Sequence, residues 1–355
     1  MVKVRIWLFG SHFFTNYLGE ACVSPPDPIR MDLTMLKRIG VITSGGDAPG
    51  MNAALRGVVR AATARGAEVY GFLHGYKGLI AGEIQPLQSL SVAGIISTGG
   101  TILGSARSKE FMTPEGRNRA LATLRTNEIE GLVVIGGDGS LTGARKLHEE
   151  FAFPVVGIPG SIDNDISGTD FSIGFDTAVN TALQAIDKVR DTAYSHERIF
   201  VIEVMGRHNG FIALEAGLAG GAEAVIIPEV AYSLIAICDR LRLQREKGRK
   251  SSIILVAEGA ARATDIKDFI QKNTGFEARY LVLGHMQRGG SPTSFDRVLA
   301  LRLGAMAANR LLSGFSGEMV GVDGGKLVSH PLSYVLSTER NVDPERLLLV
   351  EVMGA

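Results

Sequence analysis

Two short stretches gather acids, glycines and hydroxyls at close spacing: Gly136-Gly137-Asp138-Gly139-Ser140 and Pro159-Gly160-Ser161-Ile162-Asp163-Asn164-Asp165. Aspartates beside small residues that expose the backbone suit a metal-bound phosphate better than a metal-free one. Asp138 is the better metal ligand, while Asp163 and Asp165 could take a proton from an acceptor hydroxyl. Arg107 follows Gly104-Ser105-Ala106 directly and offers a planar fork that grips phosphate bidentately. Farther along, Arg207, Glu258, His285 and Arg288 each follow an apolar run. Each alone is more often structural than functional, and their shared position at strand ends raises the odds. One region thus suits a polyphosphate with a metal, and another an anionic, hydroxyl-bearing partner. Phosphoryl transfer needs that division.

These residues must be held by the elements before them. Leu132–Ile135 and Pro154–Ile158 have the length and β-branched content of strands buried on both faces. Lys37–Thr43 reads as a first strand, followed by Ser44-Gly45-Gly46-Asp47 and a helix burying Leu55, Val58, Val59 and Ala62. That glycine turn at a helix start is an anion seat. It matches neither GxGxxG nor a Walker A loop, which leaves a dinucleotide-linked dehydrogenase the weakest reading. Glu68–Phe72 is a second strand, and another strand unit is expected to end at Ser97-Thr98-Gly99-Gly100-Thr101. After a helix around Arg117–Leu124 and another from Asp176, strands are expected at Arg198–Val204, Ala224–Pro228, Ser252–Ala257 and Tyr280–Gly284, with a basic helix over Arg240–Lys250. The fold class is α/β: two doubly wound, Rossmann-like, three-layer domains with the active site in the cleft between them.

Composition narrows the partners. Lys plus Arg and Asp plus Glu number 37 each, so no excess positive charge favours nucleic acid or an anionic membrane. The 44 glycines are about twice the average usage, which points to many tight turns. Cys22 and Cys238 support neither a disulfide framework nor a zinc site, and a cytoplasmic location is the default. Residues 1–34 read as a poorly ordered extension rather than a targeting segment, as a misassigned start codon with Met31 or Met35 as the true beginning would give.

Five motifs in register, Gly45–Asn52, Gly136–Ser140, Pro159–Asp165, Met205-Gly206-Arg207 and Gly284–Gly290, resemble the motif series of the bacterial ATP-dependent 6-phosphofructokinases from about Lys37 to Gly325. The resemblance implies transfer of the ATP γ-phosphoryl to the 1-hydroxyl of fructose 6-phosphate, with Mg2+ as cofactor. It implies that Asp163 is the base, Asp138 the metal ligand, and Arg107 a stabiliser of the moving phosphoryl. Gly46, Tyr76, Arg107, Ser108, Gly137, Asp138, Gly139, Ser140 and Gly143 would hold ATP. Ser161, Ile162, Asp163, Met205, Gly206, Arg207, Glu258, His285, Met286, Gln287 and Arg288 would hold the sugar phosphate, joined by Arg198 and Arg279 of a neighbouring subunit. Residues 35–174 with 287–337 would form the ATP lobe, and 175–286 with 338–355 the sugar-phosphate lobe.

A homotetramer follows from the same resemblance, with active and effector sites shared between subunits. Arg56, Arg60, Arg190, Gly221, Glu223, Lys247 and Arg249 would bind an effector such as ADP or phosphoenolpyruvate, although Ser89 stands where the family has a basic residue. Pyrophosphate-using relatives carry Asp and Lys where this chain has Gly139 and Gly160, and two glycines leave room for a nucleotide's α-phosphate. A pyrophosphate-dependent enzyme is the runner-up. A non-catalytic sugar-phosphate or nucleotide sensor on the same fold is the rival from another class.

Overall fold

Arg38–Ser44 forms strand β1 of the computed structural model, which describes residues 36–354. The extension expected at residues 1–34 lies outside the described residues. The turn after β1 opens helix α1 (Met51–Ala64), whose Leu55, Val58, Val59 and Ala62 are fully buried, as their helical spacing expects. Strand β2 (Glu68–Phe72), helix α2 (Gly75–Ala81) and strand β3 (Ile84–Leu87) follow. Helix α3 (Pro114–Thr126) begins where the Thr113 hydroxyl accepts from the Gly116 N–H and Pro114 fills the first turn. Strand β4 (Gly131–Gly136), helix α4 (Asp138–Phe151) and strand β5 (Val155–Pro159) carry the two acidic clusters.

Helix α5 (Phe175–Ser195) leads to a second sheet. There strand β6 (Ile199–Val204), helix α6 (Phe211–Ala219), strand β7 (Ala224–Ile226) and helix α7 (Leu234–Glu246) come first. Strand β8 (Ser252–Ala257), helix α8 (Ala263–Thr274) and strand β9 (Ala278–Val282) complete it. The chain returns through helix α9 (Ser294–Leu312) to strands β10 (Glu318–Asp323) and β11 (Lys326–Pro331). Helices α10 (Leu332–Ser337) and α11 (Pro344–Met353) close the described chain.

The larger sheet has the order β11-β10-β5-β4-β1-β2-β3 and the smaller one β7-β8-β6-β9. The smaller sheet is parallel throughout, as expected. The larger one departs from a purely parallel sheet at both edges, where β3 pairs antiparallel with β2 and β11 with β10. Gly324 and Gly325 both have positive φ between the paired Asp323 and Lys326, the backbone a two-residue hairpin requires. The strand unit expected before Ser97 is instead a single 3-10 turn, Ile95–Ser97, entered through left-handed Gly94. The basic helix α7 starts earlier than expected, capped by the Ser233 hydroxyl, and ends before Lys247. Among the described residues no helix is long and apolar enough to cross a membrane.

Helix α9 fixes what the site is built on. A Cβ on Gly57 of α1 would lie 2.7 Å from the Leu301 carbonyl oxygen, and one on Gly304 of α9 would run into the Ala54 carbonyl. The two helices therefore touch backbone to backbone. At the start of α9, fully buried Asp296 accepts from the Gly174 N–H at 2.9 Å, the Thr177 N–H at 2.8 Å and the Thr177 hydroxyl at 2.6 Å. It satisfies the open N-terminus of α5.

Candidate active site

The carboxyl ends of three strands are level, with Ser44 paired to Gly136 and Gly136 to Pro159. The turns after β1, β4 and β5 therefore emerge side by side, where an open α/β sheet binds its ligands. Gly45, Gly46, Asp47, Gly100, Thr101 and Ser105 line a cavity of about 320 Å³ there. The Ser105 hydroxyl donates to the Gly45 carbonyl, and Thr43 Oγ1 lies 2.8 Å from both Thr101 Oγ1 and the Gly104 carbonyl. Thr101 and Ser105 read in the sequence only as parts of glycine turns. Their hydroxyls pin that segment to the β1 turn. Arg107 is exposed on the same segment, and Ser108 accepts from the Phe111 N–H at 3.2 Å.

Helix α4 starts in the middle of this group. Ser140 and Leu141 donate to the Gly137 carbonyl, so the N–H groups ahead of them have no partner within the helix. Of the two residues expected beside the nucleotide, Gly143 lies within this helix and Tyr76 packs against it. Tyr76 is buried, donates its hydroxyl to the Ser140 carbonyl at 2.7 Å, and stacks on Phe111 at 3.9 Å. A Cβ on Gly143 would come within 2.8 Å of the Tyr76 ring. Burial also raises the Tyr76 phenol above its ordinary pKa. Their evident work is to support the first turn of α4.

The acids carry strained electrostatics. Desolvation in the cleft, then the charge of Asp165, pushes the Asp138 carboxyl up to about 6. Burial pushes Asp163 up to about 6 as well, with Asp165 and Glu258 adding to it and Arg288 and His208 opposing. Asp163 Oδ1 is buried with no hydrogen-bond partner among the described residues. Its backbone is held by Ser161, whose hydroxyl accepts from the Asp163 N–H at 3.3 Å and donates to Asp165 Oδ1 at 2.9 Å.

Groups from the smaller sheet reach this acid. Arg207 and His208 follow β6, Glu258 follows β8, and Gly284–Arg288 is a 3-10 turn after β9. Arg288 extends farther than its sequence position suggested. Its Nη1 lies 3.4 Å from the Asp47 carbonyl, and a Cβ on Gly46 would come within 2.5 Å of it. Gly206 has φ +134°, and Gly259 donates to its carbonyl at 3.2 Å, which locks two of these turns together. His285 and Met286 are exposed.

Three expected substrate residues turn inward. Ile162 and Met205 are buried in the core. Gln287 is fully buried, accepts from the Met205 N–H at 2.7 Å and donates to the Ala178 carbonyl at 3.3 Å. Its amide braces the site.

Two expected sets stand apart from this cluster. Arg198 and Arg279 lie at the amino ends of β6 and β9, both paired to Glu277. Of the expected effector residues, Arg190 donates to the Gly220 and Gly221 carbonyls, and Arg249 pairs with buried Glu223 at 2.9 Å. Burial raises the Glu223 carboxyl, against the pull of the Ile253 N–H and of Arg249. Lys247 caps α7 just beyond this group. Arg56 and Arg60 instead donate to the Val92 and Ser89 carbonyls at 2.6 and 3.2 Å. Among the described residues no hydrogen bond or ion pair joins the two groups.

Comparison with known proteins agrees with this geometry. The family model described as Phosphofructokinase matches residues 38–311. The chain belongs to the phosphofructokinase family. It is 58% identical over 308 residues to the ATP-dependent 6-phosphofructokinase of Bacillus subtilis (strain 168), covering 87% of this chain and 96% of that protein. It is 56% identical to the protein of that name from Halalkalibacterium halodurans, with the same coverage. Among solved structures, phosphofructokinase from Saccharomyces cerevisiae superposes with a TM-score of 0.79 at 40% identity over 85% of this chain. The chain spans 45% of that longer yeast chain. A pyrophosphate-dependent phosphofructokinase from Marinobacter aquaeolei, at 23% identity and TM-score 0.79 over 87% of this chain and 86% of its own, shares the family fold.

Proposed function

We propose that this protein transfers the γ-phosphoryl group of ATP to the 1-hydroxyl of fructose 6-phosphate, giving fructose 1,6-bisphosphate and ADP, the committed step of glycolysis in the cytoplasm. The observation that carries this reading is the buried, unpartnered Asp163 Oδ1, a carboxyl poised near pH 6 between the glycine turns and the Arg288 group. Above that pH Asp163 is ionised and takes the proton of the acceptor hydroxyl as its oxygen attacks the γ-phosphorus. The bond from that phosphorus to the β-phosphate bridging oxygen breaks, and ADP leaves. Arg107 and the α4 N-terminus hold the charge that develops on the phosphoryl oxygens. Arg207, His285 and Arg288 bind the sugar phosphate, with Glu258 available to its hydroxyls.

Mg2+ fits the residues present. Burial, and then the charge of Asp165, raise the cost of ionising Asp138, which a cation between protein and phosphates would offset. No cluster of three or more metal-ligating side chains exists among the described residues. An ion shared with phosphates and water is how Mg2+ is usually held. When bound, it neutralises charge on the polyphosphate.

Gly139 supports ATP over pyrophosphate as donor. A Cβ there meets nothing within 4 Å, so a larger residue would occupy the open space beside the α4 N-terminus. Gly160 carries less of this argument, because its Cβ would face Met51 Cε at 3.1 Å. We assign 35–174 with 287–337 to the ATP lobe and 175–286 with 338–355 to the sugar-phosphate lobe. The reach of Arg288 to Asp47 supports the first assignment. Among the described residues no hydrogen bond or ion pair joins Arg56 and Arg60 to the Glu223 group, which fits an effector site completed by a second subunit, in a homotetramer responsive to ADP or phosphoenolpyruvate. A coupled assay with fructose 6-phosphate decides the donor: turnover with Mg2+ and ATP is expected, and turnover with pyrophosphate alone would overturn it.

A further inference from the structure

The segment between α10 and α11 contributes one side chain to the back of the Asp163 turn. Asn164, next to Asp163, is 3% exposed and sits at φ +53°, a left-handed conformation that is uncommon outside glycine and that asparagine tolerates better than most residues. Its side-chain carbonyl accepts from the Ser172 N–H at 2.8 Å and the Ser172 hydroxyl at 3.2 Å. Its amide donates to the Asp170 carbonyl at 3.2 Å. Arg340 completes the clamp. One guanidinium nitrogen donates to Asn164 Oδ1 at 3.3 Å and the Thr169 carbonyl at 2.6 Å, and the other to the Asp170 carbonyl at 2.6 Å.

The guanidinium also lies 5.3 Å from the Phe211 ring centroid on α6, and Arg346 of α11 pairs with Glu215 of the same helix. A cavity of about 260 Å³ borders the clamp, lined in part by Phe171, Phe175 and Phe211. The planar fork therefore ties three carbonyl groups behind the turn to a helix of the smaller sheet's layer. A lysine cannot span them, because its ammonium is a point donor.

We propose that Arg340 is a positioning residue for the reaction, holding Asn164 in the left-handed conformation that aims the Asp163 carboxylate at the acceptor hydroxyl. This rests on Asp163 being the base. Arg340 does not touch substrate. It acts through Asn164 and the Thr169–Asp170 carbonyls, and misplacing a reacting group by about 1 Å can cost on the order of 10²-fold in rate.

The test uses the full-length enzyme with Arg340→Ala, Arg340→Lys, Asn164→Ala, the Arg340→Ala/Asn164→Ala double variant and, in parallel, Asp163→Asn. Calorimetric titration with fructose 6-phosphate gives the folded fraction, and kcat is normalised to it. Arg340→Ala is expected to lose about 10- to 100-fold in kcat with both KM values within about threefold. Arg340→Lys, which keeps charge and length should the alanine variant fail to fold, is expected to lose at least about fivefold. The double variant is expected to be no worse than the poorer single, since residues acting as one unit are not additive. Normalised kcat near wild type in Arg340→Ala or Arg340→Lys, or losses that multiply in the double variant, would overturn the proposal. An inactive Asp163→Asn beside a fully active Arg340→Ala defeats only the clamp. An active Asp163→Asn defeats the base assignment beneath it.

Discussion

At the scale of single residues, the proposed base Asp163 is held at a cost in stability. Its carboxyl, at about 6 in the folded protein against an ordinary 3.8, resists ionisation chiefly because it is buried. Folding therefore costs nothing extra below about pH 4, where the group is neutral in both states, and the penalty grows up to about pH 6. Above that it stays constant, on the order of 3 kcal/mol. Asp163→Asn is expected to raise the melting temperature at pH 8 while lowering kcat by at least about 10²-fold. The gain in melting temperature should vanish near pH 4, and paired scans at the two pH values check it. If Asp163 is the base, as proposed, wild-type kcat/KM should fall as pH drops through about 6, because that carboxyl is then protonated. A second substitution tests the donor. Gly139→Asp meets no steric obstacle, so the fold should survive. Its carboxylate would face the phosphates, and KM for ATP should rise about tenfold or more in a coupled assay. Asp163 and Gly139 were both legible in the sequence, because acids and glycines at a strand end advertise themselves. Arg340 was not. Its proposed role depends on a left-handed Asn164 and carbonyl groups 170 or so residues away in the chain, which no local pattern encodes.

At the scale of elements, the site depends on how closely α1 and α9 cross. Helix α1 begins just after the Gly45-Gly46 turn, and α9 carries Asp296, which caps α5. Gly304 allows the crossing, with Val58 N only 3.0 Å from where its Cβ would be. Gly304→Leu is expected to destabilise the protein by more than about 3 kcal/mol, because overpacking against backbone has no flexible side chain to absorb it. Chemical denaturation should show the loss, and soluble protein of wild-type stability would contradict this packing. The strands β1, β4, β5, β6 and β8 were readable as apolar runs ending in glycine turns, since strands buried on both faces need no alternation. The antiparallel edges were not. Strand β3 is four residues with Pro86 in it, and β11 is mostly polar or half-exposed, so neither gives a buried-strand pattern. The inward turn of Gln287 was hidden for a related reason: a polar side chain in a motif gives no sign of whether it faces ligand or core.

At the scale of the whole molecule, the role expected of Arg198 and Arg279 bears on whether one chain makes a complete site. Strand β6 runs six residues between Arg198 and the Met205-Gly206-Arg207 turn, a span of about 20 Å at the usual rise per residue. Arg198 and Arg279 therefore sit at the opposite end of the sheet from Arg207, Glu258 and Arg288 of their own chain. They share Glu277, the residue just before β9, an edge strand whose Tyr280 and Val282 are 51% and 48% exposed. An edge strand with apolar side chains and two arginines anchored beside it suits pairing with a second copy of this chain. If the arginines serve a neighbour's site, Arg198→Ala and Asp163→Asn damage different halves of it. Each variant alone should then be severely impaired. Hybrids formed by co-expressing them pair the intact Asp163 of one chain with the intact Arg198 of the other, and should regain a substantial part of wild-type turnover. Residual activity in the mixture equal to the sum of the two variants would mean that each chain completes its own site.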